Sequence, residues 1–423
     1  MFKVCQKLKE AKKEFRIWNR EWFGNIHQNI KKCWENLRCI QGEDPTQANL
    51  SKEVGINMEV QEWLQREETL WRQKARIKWL FAADLNTKFF NLTTIIRRRK
   101  NAIDFIKNQQ GSWVSGRKEI GRCFESFFRN LFETSNPSIL NNLDNLICPS
   151  LFEEDIQMLT KIPTPEEVKD VVFSMNSNKA LGLNGMSAHF YKFYWNIIGG
   201  EVIEAISIFF QRGYMLREIN HSFIVLIPKG NNTAMVSQFK PISLCNVLYK
   251  IISKLLANRL KLVLPKLISP WQAAFIPGRK IQENTFLAQE IIHDMKKKSG
   301  KKGWMGLKID MEKAYDRLEW CFLEKVLHGF GFPSIWIQWV MQCVTTPSFS
   351  ILLNDSPFSF FKPKRGLRQG DPLSPFLFIL AAEVLARLIE REAVNNKIIG
   401  YKLAPDLMPI SHLQFADDLF IFA

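Results

Sequence analysis

Three aspartates stand where short apolar runs are interrupted. Asp310 follows the run 307–309, and Asp417 and Asp418 lie inside the run 415–422. Carboxylates beside apolar residues cost free energy unless a cation neutralises them, and Mg²⁺ or Mn²⁺ suits a ligand set made only of oxygens. Two such ions can clamp the attacking and leaving oxygens of a phosphoryl transfer. The pattern predicts a two-metal site, although an Asp-Asp pair between apolar stretches, taken alone, is more often a hairpin turn.

Short motifs surround these aspartates in a defined order. The sequence reads Leu-Ile-Pro-Lys at 226–229, Phe-Lys-Pro-Ile-Ser-Leu-Cys-Asn-Val-Leu-Tyr-Lys at 239–250, Gln-Ala-Ala-Phe-Ile-Pro-Gly-Arg at 272–279, Asp-Met-Glu-Lys-Ala-Tyr-Asp at 310–316 and Arg-Gly-Leu-Arg-Gln-Gly-Asp-Pro-Leu-Ser-Pro at 365–375. Together they resemble the reverse transcriptase of plant LINE-type non-LTR retrotransposons. The resemblance continues upstream through 72–80 and 86–90 and so covers nearly the whole chain.

The resemblance implies an RNA-directed DNA polymerase that uses two Mg²⁺ or Mn²⁺ ions, an RNA template, a DNA primer and deoxynucleoside triphosphates. Asp310 and Asp417 are then the main metal ligands, the Met311 backbone carbonyl completes the set, and Asp418 is the third catalytic carboxylate. We expect a helix to start just after Asp310. Glu312 and Asp316 are therefore left outside the site, because acids in a first helical turn favour the positive helix end without touching a metal.

The resemblance also implies residues that contact the incoming nucleotide. Tyr315 matches the aromatic residue that lies under the sugar and excludes a 2′-hydroxyl, although ordinary core packing is its alternative. Gln369 and Gly370 form a tight turn where the backbone approaches the base pair, since only glycine allows that closeness. Lys229 and Lys240 lie on a predicted fingers hairpin, from which they reach the triphosphate. A buried helix is expected to begin directly after this turn, at 371–372.

Positive charge favours a polyanionic partner. The chain has 58 Lys and Arg against 42 Asp and Glu, and residues 1–100 hold 21 basic and 12 acidic side chains. Lys and Arg bind phosphates with release of counterions, so the excess is typical of nucleic-acid binding, although a solvated basic surface is the alternative. The predicted nucleic-acid contacts are Arg72, Lys74, Arg76 and Lys78, which alternate with aromatic residues, the cluster Arg97, Arg98 and Arg99, and Arg279.

The predicted fold is α+β, with the fingers and palm of a right-hand polymerase built from an antiparallel sheet and helices. Apolar residues recur at spacings of three and four through the first 40 residues and again near 60–80, which predicts long amphipathic helices. Thr164-Pro165 predicts a capped helix start. We therefore expect a basic, mainly helical region at 1–133, a connector at 134–160, and the fingers and palm at 161–423.

Other features limit the cellular setting. The eight cysteines include no Cys-x-x-Cys pair, which favours a reducing compartment and predicts no structural zinc site. The start lacks the apolar core of a signal peptide, and the longest apolar run, 376–386, is short and contains Glu383. We expect an intracellular protein without a membrane span, in the nucleus if the resemblance holds. The oligomeric state is not defined by the sequence.

The chain departs from the pattern of the family it resembles. Lys240 replaces an Arg, which keeps the charge but not the two-pronged phosphate contact. Residues 179–185 read Lys-Ala-Leu-Gly-Leu-Asn-Gly where relatives carry Lys-Ala-Pro-Gly-Pro-Asp-Gly. We expect neither the endonuclease nor the primer grip and thumb of the family, because the sequence reaches its last residue five positions after Asp418.

Three functions remain open from the sequence. The first is an RNA-directed DNA polymerase of retrotransposon origin, inactive if truncation prevents it from holding the primer. The second is a non-catalytic RNA-binding remnant of a reverse transcriptase, which the truncation and the altered loop favour. The third is an unrelated Mg²⁺-dependent phosphohydrolase, which needs only the aspartates and leaves Tyr315 and Gln369 unexplained.

Overall fold

The computed structural model describes residues 1–75, 87–138, 146–177, 179–230, 232–298 and 303–423. Within them, the chain begins with α1 (Phe2–Trp18), a π-helical turn (Asn19–Phe23), α2 (Ile26–Gln41), α3 (Gln47–Ala75) and α4 (Thr87–Asn101). Gly24, with a φ of 67°, ends the π-helical turn, and Asn25 caps α2 by accepting a hydrogen bond from the His27 N–H at 2.9 Å. α2 packs along α3. The mainly helical N-terminal region is confirmed.

The chain then alternates helices and strands. It continues with β1 (Phe105–Lys107), β2 (Trp113–Ser115), α5 (Arg117–Leu131), α6 (Glu153–Thr160), α7 (Pro165–Ser174), α8 (Ala188–Phe193), α9 (Trp195–Arg212), β3 (His221–Pro228), β4 (Phe239–Leu244) and α10 (Val247–Leu267). The remaining elements are α11 (Ile281–Lys297), β5 (Gly306–Asp310), α12 (Ala314–Arg317), α13 (Trp320–Gly329), α14 (Ser334–Thr345), β6 (Ser348–Leu353), β7 (Ser356–Phe361), α15 (Ser374–Val394), β8 (His412–Phe415) and β9 (Asp418–Phe422).

Two sheets carry the candidate site. The fingers sheet has the strand order β4-β3-β6-β7, in which β3 and β6 run parallel and the other neighbours antiparallel. The palm sheet has the order β5-β9-β8 and is antiparallel throughout. The expected α+β fold is confirmed, and its larger sheet is mixed rather than purely antiparallel. β3 and β6 run parallel because several helices, α10 to α14, separate them along the chain, as parallel pairing requires.

Two long helices, α10 and α15, form the centre of the largest hydrophobic core. α7 packs beside α10 and starts as the sequence predicts, with the Thr164 hydroxyl accepting from the Glu167 N–H at 3.2 Å and Pro165 in its first turn. α15 begins at Ser374 rather than at the expected 371–372. The difference arises because the Asp371 carboxylate accepts the N–H of Leu373 at 3.2 Å, which keeps these residues outside the helix.

Parts of the N-terminal region share cores with the rest of the chain. Phe124 and Phe128 of α5 are fully buried in one core with side chains of β3 and β6, and Leu8 of α1 lies in the largest core. The proposed boundaries at 133 and 160 therefore stay predictions. Among the described residues, no helix combines the length and apolar character needed to cross a membrane.

Candidate active site

The three predicted catalytic aspartates lie at one edge of the palm sheet. Asp310 ends β5 and stands opposite Asp418, the first residue of β9, in the antiparallel register. Asp417 lies in the tight turn after β8, whose last residue, Phe415, pairs with Asp418. Ala416, the other turn residue, has a φ of 53°, a conformation that is unfavourable for a side chain with a Cβ. Such strain is typical of a turn that surrounding contacts hold in place.

Gln272 holds this turn from behind. Its side chain is only 1% exposed, and its Oε1 accepts hydrogen bonds from the N–H groups of Ala416 and Ala274, both at 2.9 Å. The same segment pairs with β8, since the Gln414 N–H donates to the Trp271 carbonyl at 2.9 Å. The sequence motif at 272–279 points to this segment, but it does not reveal that Gln272 positions the aspartate turn.

The donor set of this edge fits a hard cation, because it consists of carboxylate oxygens and the backbone carbonyl of the half-buried Met311. Asp418 is also paired with a lysine, since Lys308 Nζ lies 3.3 Å from its Oδ1. In the arrangement described, no group of three or more His, Cys, Asp or Glu side chains is close enough to hold a metal ion, as far as the described residues go. Metal binding by Asp310, Asp417 and Asp418 stays a prediction.

Tyr315 lies between the aspartates and the core. Its ring stacks on Phe378 of α15, with centroids 4.5 Å apart and an interplanar angle of 14°. Burial, and secondly the negative charge of Asp417, raise the pKa of the Tyr315 hydroxyl above its ordinary value. The phenol therefore stays neutral at physiological pH. One face is thus packed, as the core-packing alternative requires, while the ring lies near Asp417, as a nucleotide-contacting role requires.

Asp316 is one of the two acids that sequence reasoning left outside the site. It is only 2% exposed, and both of its oxygens accept hydrogen bonds from Gln369 Nε2 at 3.1 Å. Burial raises its pKa to about 6, while Lys313, Gln369, Lys229 and Lys240 oppose the rise. Asp316 does lie in the first turn of α12, as the sequence predicts, and its carboxylate is buried there.

Two glycines let the Gln369 turn approach its neighbours. Gly366 has a φ of 92°, and a Cβ there would lie 2.6 Å from the backbone oxygen of Asp316. Gly370 has a φ of 99° and lies against Ser243 of β4, whose N–H donates to the Gln369 carbonyl at 2.9 Å. Both positions require glycine because other residues rarely adopt this conformation. The predicted tight turn at Gln369-Gly370 is confirmed, and it joins the fingers sheet to the segment after β5.

A buried polar cluster fixes the same turn. The Arg368 guanidinium donates to Asn220 Oδ1 at 2.5 Å and lies 3.6 Å from the Asp371 carboxylate. That carboxylate also accepts hydrogen bonds from the hydroxyls of Tyr249 and Ser253. Removing either charge would leave its partner buried and unpaired, which is strongly destabilising. The cluster therefore restrains both ends of the turn that carries Gln369.

Three lysines lie around Asp316. Lys229 follows β3 and Lys240 belongs to β4, the two strands of the predicted fingers hairpin, and both side chains are exposed. Lys313, which sequence reasoning did not select, is half-buried and has a left-handed φ of 52°. Its Nζ lies over the Phe127 ring of α5 at 4.8 Å. Burial lowers the pKa of Lys313, the Asp316 charge raises it and the Lys229 charge lowers it.

A groove of about 740 Å³ separates the N-terminal helices from the fingers sheet. Its basic lining residues are Lys74, Arg97, Arg98, Lys179 and His189. Arg97 also donates to the Ala75 carbonyl at 2.8 Å, and Arg98 forms an ion pair with Asp355 at 3.4 Å, both partners being largely exposed. Three of the predicted nucleic-acid contacts thus share one concave surface with two further basic residues.

The other predicted nucleic-acid contacts lie elsewhere. Arg72 is half-buried on α3, Arg99 is exposed, and neither lines the groove. Arg76 and Lys78 fall outside the described residues. The Arg279 guanidinium donates to the backbone carbonyls of Ser269, Gln272 and Ile268, at 2.5, 2.7 and 3.0 Å. Because its donors hold this loop together, we leave Arg279 out of the proposed interface.

The chain is similar to several known proteins. Residues 227–423 match the reverse transcriptase (RNA-dependent DNA polymerase) family. A 149 kDa protein of transposon TX1 from Xenopus laevis, described as uncharacterized, is 25% identical over 435 residues, which cover 97% of this chain and 32% of that protein. The Pol polyprotein of a type-1 retrotransposable element R2 from Nasonia vitripennis is 27% identical over 274 residues, or 65% of this chain and 25% of that protein.

A third relative is shorter. An uncharacterized mitochondrial protein of Arabidopsis thaliana is 46% identical over 67 residues, or 16% of this chain and 55% of that protein. The chain spans about a third or less of the two retrotransposon proteins. These similarities support retrotransposon origin. The plant lineage expected from the sequence stays a prediction, because the two longer matches come from animals.

Proposed function

We propose that this chain, whose residues 227–423 match the reverse transcriptase (RNA-dependent DNA polymerase) family, catalyses RNA-directed DNA synthesis from a primer. The proposal rests above all on one observation, the placement of Asp310 opposite Asp418 across adjacent strands, with Asp417 in the adjoining turn. Tyr315 and Gln369 match the residues that contact the incoming nucleotide in reverse transcriptases, and a simple phosphohydrolase would not need them.

In this proposal Asp310, Asp417, Asp418 and the Met311 carbonyl would hold two Mg²⁺ or Mn²⁺ ions. Bound ions would supply charge stabilisation for the primer oxygen and for the departing pyrophosphate. Gln272 keeps the Asp417 turn in place through Ala416. Lys308 must release Asp418 for that carboxylate to serve the ions fully.

The remaining residues would bind and orient the substrates. Lys229 and Lys240 are exposed cations that can reach a triphosphate from the fingers hairpin. The Tyr315 ring, fixed by its stacking on Phe378, would lie under the sugar and exclude a 2′-hydroxyl. Gly370 lets the backbone of its turn approach a base pair.

We place the RNA template in the basic groove. Its concave surface carries Lys74, Arg97 and Lys179, and contacts of such cations with phosphates supply most of the non-specific affinity for nucleic acid. Arg72 and Arg99 do not line the groove and would add a longer-range attraction for the RNA phosphates. A nuclear location and a plant lineage, both expected from the sequence, belong to the same proposal.

Primer extension on an RNA template tests this function. We compare the parent chain with Asp417→Asn and with the matched control Asp406→Asn, which changes an exposed carboxylate outside the site. Asp417→Asn should lower the rate by roughly a hundred-fold or more, because metal-ion stabilisation supplies several kcal/mol. The control should extend like the parent. A parent that does not extend in Mg²⁺ or Mn²⁺, or equal extension by Asp417→Asn, would contradict the proposal.

A second function is favoured by one observation. Asp418 is held in an ion pair by Lys308, and the described residues contain no group of three carboxylates close enough to hold a metal ion. A chain that only binds RNA would keep the basic groove and need no metal. Salt-dependent RNA binding without primer extension, equally in the parent and in Asp417→Asn, would identify this second function.

A further inference from the structure

Asp310 and Asp418 stand directly opposite each other on neighbouring strands of the palm sheet. Like charges in this position repel each other and destabilise the pairing of two antiparallel strands. Asp417 adds a third carboxylate, because it directly precedes Asp418 in the chain. A nearby cation would therefore stabilise this edge of the sheet before any substrate binds.

Lys308 provides such a cation from the same face of the sheet. It lies two residues before Asp310 on β5, so both side chains point to one face of the strand. In the register of the two strands, Lys308 stands opposite Phe420, which lies two residues after Asp418 on β9. Lys308 and Asp418 are thus diagonal neighbours, and a lysine side chain is long enough to span the distance between such positions.

The ammonium group of Lys308 has two partners. Its Nζ lies 3.3 Å from Asp418 Oδ1 and 5.7 Å from the centroid of the Phe420 ring. The Phe420 ring is supported in turn by Phe422, on which it stacks with an interplanar angle of 11°. Both partners attract a cation, the carboxylate through its charge and the ring through its negative face. Lys308 can therefore leave Asp418 and still keep a favourable contact.

The ion pair is weak enough to be exchanged for a metal ion. About half of each side chain is exposed, so water and salt screen the attraction between them. Among the described residues, Lys308 is the cation that forms an ion pair with the three aspartates of this edge. One lysine against three aspartates leaves a net negative charge, which still attracts a divalent ion. A lysine in this place competes with the ion without excluding it.

We propose that Lys308 is a tethered counter-ion of the candidate active site, which pairs with Asp418 in the metal-free protein and competes with a divalent ion for that carboxylate. When an ion binds, Lys308 leaves Asp418 and lies over the Phe420 ring. The inference rests on the proposed function, since it concerns the metal ions that the three aspartates would hold. Lys308 thus raises the concentration of Mg²⁺ or Mn²⁺ needed for half-saturation, and it preserves the strand pairing when no ion is present.

Binding of Mn²⁺ to the full chain, without primer or nucleotide, tests this competition, and the electron paramagnetic resonance signal of free Mn²⁺ measures it. Lys308→Met removes the cation and should bind Mn²⁺ about two- to five-fold more tightly, which corresponds to the strength of an exposed ion pair. Lys308→Arg keeps the charge and should bind like the parent. Lys325→Met removes an exposed lysine of α13, makes the same change in net charge and should also bind like the parent.

Thermal unfolding of the metal-free protein shows whether Lys308 acts through Asp418. Lys308→Met should unfold at a lower temperature than the parent, because Asp310 and Asp418 then face each other without a counter-charge. In an Asp418→Asn background the two opposed charges are gone, so Lys308→Met should no longer lower the unfolding temperature. An equal decrease in both backgrounds would overturn the pairing of Lys308 with Asp418.

The outcomes also separate this inference from the proposed function. Mn²⁺ binding by Lys308→Met that is no tighter than binding by the parent would overturn the inference, and so would an equal gain in Lys325→Met. Tighter binding by Lys308→Met, in a chain that extends no primer, would support the counter-ion and contradict polymerase activity. Primer extension by a parent whose Mn²⁺ affinity does not change in Lys308→Met would do the reverse. A parent that binds no Mn²⁺ at all would contradict both.

Discussion

The buried carboxylate of Asp316 gives a quantitative prediction about stability and pH. Its side chain is 2% exposed, and burial raises its pKa from the ordinary 3.8 to about 6. Because the folded pKa lies above the unfolded one, the folded state holds this proton more tightly. The stability of the protein should therefore fall as pH rises from about 4 to about 6, and then stay lowered. The full loss is about 3 kcal/mol.

Asp316→Asn removes this titration while keeping an oxygen that can accept from Gln369. The variant should be more stable than the parent above pH 6, by up to about 3 kcal/mol, and nearly equal to it at pH 4. The gain will be smaller where the lysines around Asp316 lose their counter-charge. Urea unfolding of parent and variant at several pH values measures the difference in the free energy of unfolding. The contributions of the other carboxylates to the pH dependence cancel in this difference, because both proteins contain them.

Asp406→Asn serves as the control, because the same chemical change at an exposed position should leave the difference near zero at every pH. A difference between parent and Asp316→Asn that does not vary between pH 4 and 7, or one that favours the parent as pH rises, would refute this account of the buried charge. The first result would mean that the lysines and Gln369 compensate fully for burial, and the second that they do more than compensate for it.

Three further outcomes follow from the site. Tyr315→Ala should raise ribonucleotide incorporation relative to deoxynucleotide incorporation, whereas Tyr315→Phe, which keeps the ring on Phe378, should not. Equal selectivity in the two variants would mean that Tyr315 serves only core packing. Gln272→Leu leaves the Ala416 N–H without its acceptor, so the free energy of unfolding should drop by about 1–3 kcal/mol in denaturant titrations, and no change would contradict the role of Gln272. Replacing the arginines 97–99 with alanine should reduce the dependence of RNA affinity on salt, which filter binding measures. The slope of log affinity against log salt concentration should change by about one per lost phosphate contact, and an unchanged slope would mean that these arginines do not contact RNA.

Sequence reasoning located the elements of the site where local rules suffice. Asp310 and Asp417 stand out because each interrupts a short apolar run, and short apolar runs predict buried strands. The helix start at Thr164 and the turn at Gly370 were found because capping and positive-φ positions select particular residue types. These features depend on neighbours within a few positions along the chain.

The residues that were missed depend on distant partners. Asp316 accepts a hydrogen bond from Gln369, which is 53 positions away, and Gln272 accepts one from Ala416, which is 144 positions away. No periodicity encodes such pairs, so Asp316 was placed with the acids of a helix start. Arg279 shows the converse case, since its charge suggested a contact with nucleic acid while its guanidinium donates to nearby backbone carbonyls. Whether a polar group already has hydrogen-bond partners within the protein is a property of the folded chain alone.

The ion pair between Lys308 and Asp418 is the strongest structural argument against catalysis. How much it matters depends on the free energy that the pair contributes. The two side chains are 58% and 46% exposed, and their nearest atoms are 3.3 Å apart. An exposed pair of this kind contributes only about 0.2–1 kcal/mol, and salt screens it further. A divalent ion held by several carboxylate oxygens gains several kcal/mol of charge stabilisation, so it would displace the lysine readily. The ion pair is thus compatible with a metal-dependent polymerase, and the choice between catalyst and RNA-binding remnant depends on how closely the chain can hold a primer end to these aspartates.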